Sequence, residues 1–277
     1  MKYGLDVRID GEYADARALA DLAAHAEQVG WDGFFVQEGL VGEEATVDPG
    51  VALAAIAMQT QRIRIGAFMT PLPRRRPWKV ARETVSLDHL SNGRLIFGAG
   101  SGFQTSDFAP FGEETDRKIR AEKLDESLAI LSGLWTGEPF SFHGKHYQVK
   151  DVRFMPRPIQ SPRIPIWIAG QWPHRRPFRR AARWDGIYVM TLKANGEQLT
   201  PAEIREVVAY VKTHREGSEP FDVAFAEETP FDPRQGAEIV RPYRDAGVTW
   251  WLEGIWGTYE AVTERIRHGP PRTQPMN

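Results

Sequence analysis

The chain contains no cysteine, which excludes a disulfide framework, a thiolate metal site and a cysteine nucleophile. It also lacks an excess of charge. Its 35 lysines and arginines stand against 37 aspartates and glutamates, a balance too even to favour nucleic acid or a membrane surface as a partner. No apolar run is long enough to span a bilayer, and Met1-Lys2-Tyr3-Gly4-Leu5-Asp6 lacks the apolar core of a signal peptide, so a cytoplasmic protein is expected. The histidines are few. His143 and His146 flank a predicted turn, far from other ligand types, and no metal site is expected.

What is present, in 277 residues that are 42% hydrophobic and 26% charged, is an alternation of short apolar runs with helical patterns. The first strand is Tyr3 to Val7, followed by a helix from Ala14 to Val29 that Gly30 ends. Gly33 to Glu38 is the second, ending in polar residues, with a helix from Pro49 to Thr60 capped by Asp48. Arg64 to Met69 is the third, with a helix from Pro77 to Leu90, and Leu95 to Gly102 is the fourth. A long excursion comes next: a helix from Arg117 to Trp135, a hairpin turning at Gly144 and an extended proline-spaced stretch from Met155 to Pro165. Strands from Ile164 to Ala169, Gly186 to Met190, Asp222 to Ala226 and Val248 to Glu253 complete eight. Their helices are Pro177 to Arg183, Pro201 to His214, Pro233 to Ala246 and Tyr259 to His268. Eight strand-helix pairs in this length predict a single (β/α)8 TIM barrel over residues 1–277, with the excursion after strand four and a frayed tail from Pro270.

In such a barrel the chemistry sits at the carboxyl ends of the strands. Those ends are Glu38, Phe68 to Pro71, Ser101 and Gly102, Gly170 to Trp172, Met190 and Thr191, and Glu253 to Trp256. Rich in glycine, aromatics and hydroxyls and poor in paired carboxylates or histidines, they suit a flat, partly apolar ligand such as an aromatic cofactor.

Several stretches, in order, resemble the bacterial-luciferase-like flavin-dependent oxidoreductases. They are Pro77-Trp78-Lys79-Val80-Ala81-Arg82-Glu83, Leu87-Asp88-His89-Leu90-Ser91-Asn92-Gly93-Arg94-Leu95 and Gly98-Ala99-Gly100-Ser101-Gly102. Further on, Leu134-Trp135-Thr136-Gly137-Glu138-Pro139, Phe142-His143-Gly144-Lys145-His146-Tyr147 and Pro165-Ile166-Trp167-Ile168-Ala169-Gly170 continue the likeness. The resemblance implies a TIM barrel that binds FMN or the deazaflavin coenzyme F420, often as a homodimer. It implies oxidation of a small organic substrate, either with O2 and FMN reduced by a partner reductase or by hydride exchange with F420. It also implies a non-proline cis peptide from Ala67 to Phe68 behind the flavin, and polar contacts to the cofactor from Thr70 and Ser101. Gly102 and Met190 are expected beside the ring. Gly170-Gln171-Trp172, expected at a helix start, would meet the cofactor phosphate, with charge added by His174, Arg175 and Arg176.

The chain departs from this pattern at two positions. Gly39 follows Glu38 where the resemblance implies a proton-transfer histidine, and Phe103 stands where some deazaflavin enzymes carry a glutamate. Glu38 is then the leading candidate acid or base, with a buried ion pair as its bland alternative and Gln37 and His174 as weaker candidates. A non-catalytic flavin-binding barrel is the alternative function. Arg74-Arg75-Arg76 is read as a solvated face or subunit contact, with the acidic tail of a deazaflavin as the other reading. Trp250 and Trp251 should alternate between barrel interior and helical layer. Trp172, Trp251 and Trp256 are candidate walls for the ligand.

Overall fold

The computed structural model describes residues 1–191, 193, 197–255 and 257–272. Its main sheet contains β1 (Lys2–Val7), β2 (Gly33–Val36), β3 (Arg64–Ala67), β4 (Thr70–Pro71) and β5 (Phe97–Gly100). After the excursion, which carries the hairpin β6 (Phe140–His143) and β7 (Gln148–Val152), come β8 (Ile166–Trp172), β9 (Gly186–Thr191), β10 (Asp222–Glu227) and β11 (Trp250–Ile255). The strands order as β3-β2-β1-β11-β10-β9-β8-β5-β4, every neighbouring pair parallel. The sheet closes where Ile65 N–H donates to Arg94 O at 3.1 Å and Ile96 N–H returns a bond to Ile65 O at 2.8 Å. Because β3 and β4 are two halves of one interrupted strand, the barrel has the eight strand positions expected.

The interruption is the cis peptide Phe68-Met69, one residue later than the expected Ala67-Phe68. Pairing with β2 explains the offset. Ala67 is still in register with Val36, and Phe68 N–H donates to Val36 O at 2.8 Å, so the ladder holds the chain through Phe68.

Around the barrel lie α1 (Ala16–Gln28), α2 (Pro49–Gln59), α3 (Pro77–Leu90), α4 (Arg117–Trp135), α5 (Arg175–Ala181), α6 (Pro201–His214), α7 (Pro233–Ala246) and α8 (Tyr259–Arg267). Their starts follow local chemistry. Asp15, Asp48, Asp116, Thr200, Asp232 and Thr258 accept from first-turn N–H groups, and Thr200 with Glu203 closes a capping box. Prolines open α2, α3, α6 and α7, where a missing N–H costs nothing.

The barrel interior is filled by rings. Phe35 stacks on Phe68 at 4.2 Å between centroids, and Trp250 meets Phe35 and Trp167 edge-on. Glycines make room for them: a Cβ on Gly33 would lie 2.6 Å from Phe35 and 2.8 Å from the Trp250 ring. As alternation predicts, Trp251 turns the other way, against Phe225 and Tyr243.

One stretch of the resemblance, Leu87 to Leu95, supplies two clamps. Arg94 is buried and spends its guanidinium on Ser91 O, Ile63 O, Ala57 O and Thr60, tying α2 to the strand that follows α3. Asp88, also buried, accepts from Ile159 N, Gln160 N and Gln160 Nε2 and anchors the proline-spaced segment. His89 bonds Arg157 O at 2.7 Å, away from the barrel mouth.

Candidate active site

At the carboxyl ends of the strands the barrel opens into a cleft of about 920 Å³, within the range of small-molecule sites. Asp6, Phe68 and Tyr188 border it from three strands, and Gly100, Ser101, Gly102, Ala169 and Gly170 form a wall of small residues. A Cβ on Gly100 would lie 3.4 Å from that of Met69 and 3.7 Å from that of Ala169, both of which border the cleft. Bare backbone there is a cradle that any side chain would narrow.

Of the residues expected to hold a cofactor, the structure brings Phe68, Ser101, Gly102, Gly170, Gln171 and Met190 together on this cleft, with Glu38. Three lie off it. Ala67 is buried in β3, one position before the cleft-lining Phe68. Thr70 is buried beside the Glu38 carboxyl. Trp172 packs edge-on against Phe178 at 5.1 Å and carries Arg175 over its ring at 3.8 Å.

The reason for the last is register. Gly170-Gln171-Trp172 continue β8, paired with Val189, Met190 and Thr191, instead of starting a helix; α5 begins only at Arg175. A Cβ on Gly170 would face Ile187 and Phe178, so Trp172, two residues on, shares that outward face while Gln171 turns to the cleft. Trp251 is likewise in the helical layer, and Trp256 lies outside the described residues.

Glu38 borders the cleft but is not free. Its side chain, 5% exposed, accepts from Arg74 Nη2 at 2.9 Å and lies 3.5 Å from Arg75; Arg74, 6% exposed, also reaches Asp107 at 3.4 Å. Burial pushes the Glu38 carboxyl up, more than Arg75, Arg74 and Thr70 pull it down. The first two arginines of the basic run are therefore not a solvated face: Arg74 is buried in this pair, and Arg75 also binds Glu83 at 2.9 Å.

Sequence reasoning passed over a second carboxyl. Asp6, 4% exposed at the end of β1, accepts from Tyr188 Oη at 2.8 Å. Gln37 lies beside it, yet Oδ1 has no partner of hydrogen-bond geometry. Burial pushes Asp6 up to about 6, against the opposing pull of Tyr188 and Gln37. The signal was available in the alternation of the first strand, where Leu5 and Val7 pack outward and Asp6 between them faces the barrel mouth.

No group of three or more His, Cys, Asp or Glu side chains suited to hold a metal ion occurs among the described residues. No described helix is long and apolar enough to cross a membrane.

A parallel barrel whose strand ends carry a glycine-walled cleft places the chain in the class of (β/α)8 barrels. The chain belongs to the luciferase-like monooxygenase family, whose model matches residues 3–228. An F420-dependent glucose-6-phosphate dehydrogenase of Amycolatopsis mediterranei is 32% identical over 172 residues, 60% of this chain and 51% of that protein. The chain thus spans about half the length of the dehydrogenases it matches. An uncharacterized protein of Mycobacterium tuberculosis is 31% identical over 212 residues, 76% of this chain and 68% of that one. Among solved structures, monooxygenase RslO1 from Streptomyces bottropensis superposes with a TM-score of 0.80 at 19% identity, covering 96% of this chain and 97% of that chain. The coenzyme F420 dependent tetrahydromethanopterin reductase from Methanopyrus kandleri does so with a TM-score of 0.78 at 16% identity, covering 97% and 98%. At these identities the likeness shows the fold.

Proposed function

We propose that the chain is a flavin-dependent oxidoreductase that holds FMN or F420 in the strand-end cleft and oxidises or reduces a small organic substrate beside it. The observation that carries this reading is the cleft itself, where Phe68 and Met69 stand beside the bare backbone of Gly100 to Gly102. The names of the relatives, F420-dependent on one side and monooxygenase on the other, support both cofactors. Bound there, the cofactor supplies hydride transfer, or oxygen activation when reduced FMN is delivered by a separate reductase. The chain's own residues orient it and exclude water. Phe68 and Met69 back the ring, and Ser101 and Gln171 offer hydrogen bonds to its polar edge and side chain. His174 borders the cleft and offers a ring nitrogen toward an anionic end, whereas Arg175 is held over the Trp172 ring, off the cleft. Glu38 is held in this reading as the proton donor or acceptor on the β2 side, tuned by Arg74.

The protein is further proposed to be a cytoplasmic homodimer. Val51 and Met58 on α2 and Trp78 at the start of α3 are exposed apolar side chains that a second copy would cover.

The test is turnover and binding measured together. Glu38→Gln should leave flavin affinity within about threefold and lower turnover at least tenfold. A protein that binds flavin and turns over no electron donor or acceptor would instead be the non-catalytic barrel, which the engagement of Glu38 by Arg74 favours as the second reading.

A further inference from the structure

Charge on the cleft is one-sided. Asp6, Asp10, Glu38, Glu44, Asp107 and the pair Glu227 and Glu228 border it, whereas no lysine or arginine does among the described residues. Residues 192, 194–196 and 256, which are not described, carry no charge in the sequence. Four of the seven carboxylates are answered from behind. Arg8 lies 2.6 Å from Asp10 and 3.5 Å from Glu44, and Arg74 serves Glu38 and Asp107. Among the described residues three have no cation. Asp6 meets Tyr188 and Gln37, Glu227 accepts the N–H of Glu228, and Glu228 is exposed at the rim. They sit at the ends of β1 and β10, one strand apart, with β11 paired to both between them. His174, the one histidine on the cleft, is at the end of β8, two strands beyond β10.

Uncompensated surface carboxylates by themselves say little. Asp6 says more. A carboxylate oxygen that is more than nine-tenths buried, without a partner, and set in the floor of an open cleft is costly unless something fills the vacancy. A ligand bringing a donor with positive charge would satisfy Oδ1, answer the charge, and meet Glu227 and Glu228 at the rim. An anionic group would be placed against three carboxylates in a partly desolvated site.

We propose that the end of the cleft formed by β1, β10 and β11 is the substrate subsite, and that it takes a molecule bearing a protonated amine, which donates to Asp6 Oδ1. This rests on the flavin reading only for the word substrate; the binding itself does not. Asp6 must be ionised to hold the cation. Proton and amine therefore compete for it, and affinity should rise with pH through about 6 and then level off. Tyr188 and Gln37 face Asp6 directly, while Glu38, Glu227, Glu228 and His174 line the same cleft.

The experiment is calorimetric titration of the full-length protein at low salt with benzylamine, benzyl alcohol and benzoate, three probes of one shape and different charge. Benzylamine should bind at least tenfold tighter than benzoate. Asp6→Asn should remove that preference and its rise with pH. The rim variant Glu227→Gln with Glu228→Gln, at side chains whose loss leaves the core untouched, should weaken the amine two- to threefold and flatten its salt dependence. Benzoate binding as tightly as benzylamine, an unchanged preference in Asp6→Asn, or no binding of any probe would each overturn the proposal. Flavin affinity read by absorbance on the same samples keeps the two ideas apart. Amine preference without flavin binding leaves this subsite standing and removes the cofactor reading, and flavin binding without amine preference does the reverse.

Discussion

Asp6 and Glu38 are two buried carboxyls on neighbouring strands, and their surroundings assign them different work. Glu38 is clamped by Arg74, so deleting its carboxylate strands a buried guanidinium whose other contact is Asp107 at 3.4 Å. Glu38→Ala should therefore cost about 3 to 5 kcal/mol in a denaturant unfolding experiment, as breaking a buried pair does; a change below about 1 kcal/mol would mean that the pair is not a structural one. Asp6 has no cation, and its carboxyl is raised from 3.8 to about 6. In the unfolded chain it loses its proton near pH 4, and in the fold only near pH 6, so its contribution favours the fold below about 4 and is lost as the pH rises to 6. By linkage the stability of the wild type relative to Asp6→Asn should fall by on the order of 3 kcal/mol across that window and stay constant above it. Unfolding midpoints of the two proteins from pH 4 to pH 7 would show it, and parallel curves would contradict it. Residue roles of this kind were half legible beforehand. Glu38 could be placed at a strand end by counting, but nothing in Arg74-Arg75-Arg76 says that the first arginine turns inward. Asp6 was legible in the alternation of β1, between the buried Leu5 and Val7, but nothing in the sequence says that its carboxyl stays without a cation.

At the scale of elements, the periodic helices read well because helical spacing is joined by an N-cap, an opening proline or both. α3, α4, α6 and α7 begin and end where their patterns do. Strand ends read less well, because they are set by pairing with a neighbour distant in sequence. β8 runs on to Trp172 only because β9 offers Val189, Met190 and Thr191 as partners, and this turns Trp172 away from the cleft. The break between β3 and β4 likewise falls after Phe68 because β2 still holds that residue. The same close fit predicts a sensitive spot on β5. A Cβ on Gly98 would collide with Ala67 O and the Phe68 ring and touch Met69 Sδ at 3.0 Å. Gly98→Ala should cost about 1 to 3 kcal/mol and weaken flavin binding at least tenfold by shifting Phe68 and Met69. Gly112→Ala, where there is open space but a left-handed φ of 69°, should cost about 1 kcal/mol of stability and leave flavin affinity unchanged, so it serves as the control for destabilisation away from the cleft. Equal affinity in Gly98→Ala and wild type would show that this wall does not shape the ligand site.

For the molecule as a whole, the fold class could be read from the count of strand-helix pairs, and the family from ordered motifs, one of which turns out to hold two structural clamps, Asp88 and Arg94. The cleft could not. Its one-sided charge arises because β1, β10 and β11, far apart in the chain, are neighbours in the closed barrel. The central claim is that this cleft is a flavin site. It is tested most directly by titrating the purified protein with FMN and with F420, each oxidised and reduced, and following absorbance and tryptophan fluorescence. The account predicts saturable binding of one of the two at one site per chain, lost in Gly98→Ala and kept in Glu38→Gln. Absence of binding by both cofactors in both redox states would contradict it, leaving a barrel of this family whose cleft serves another ligand.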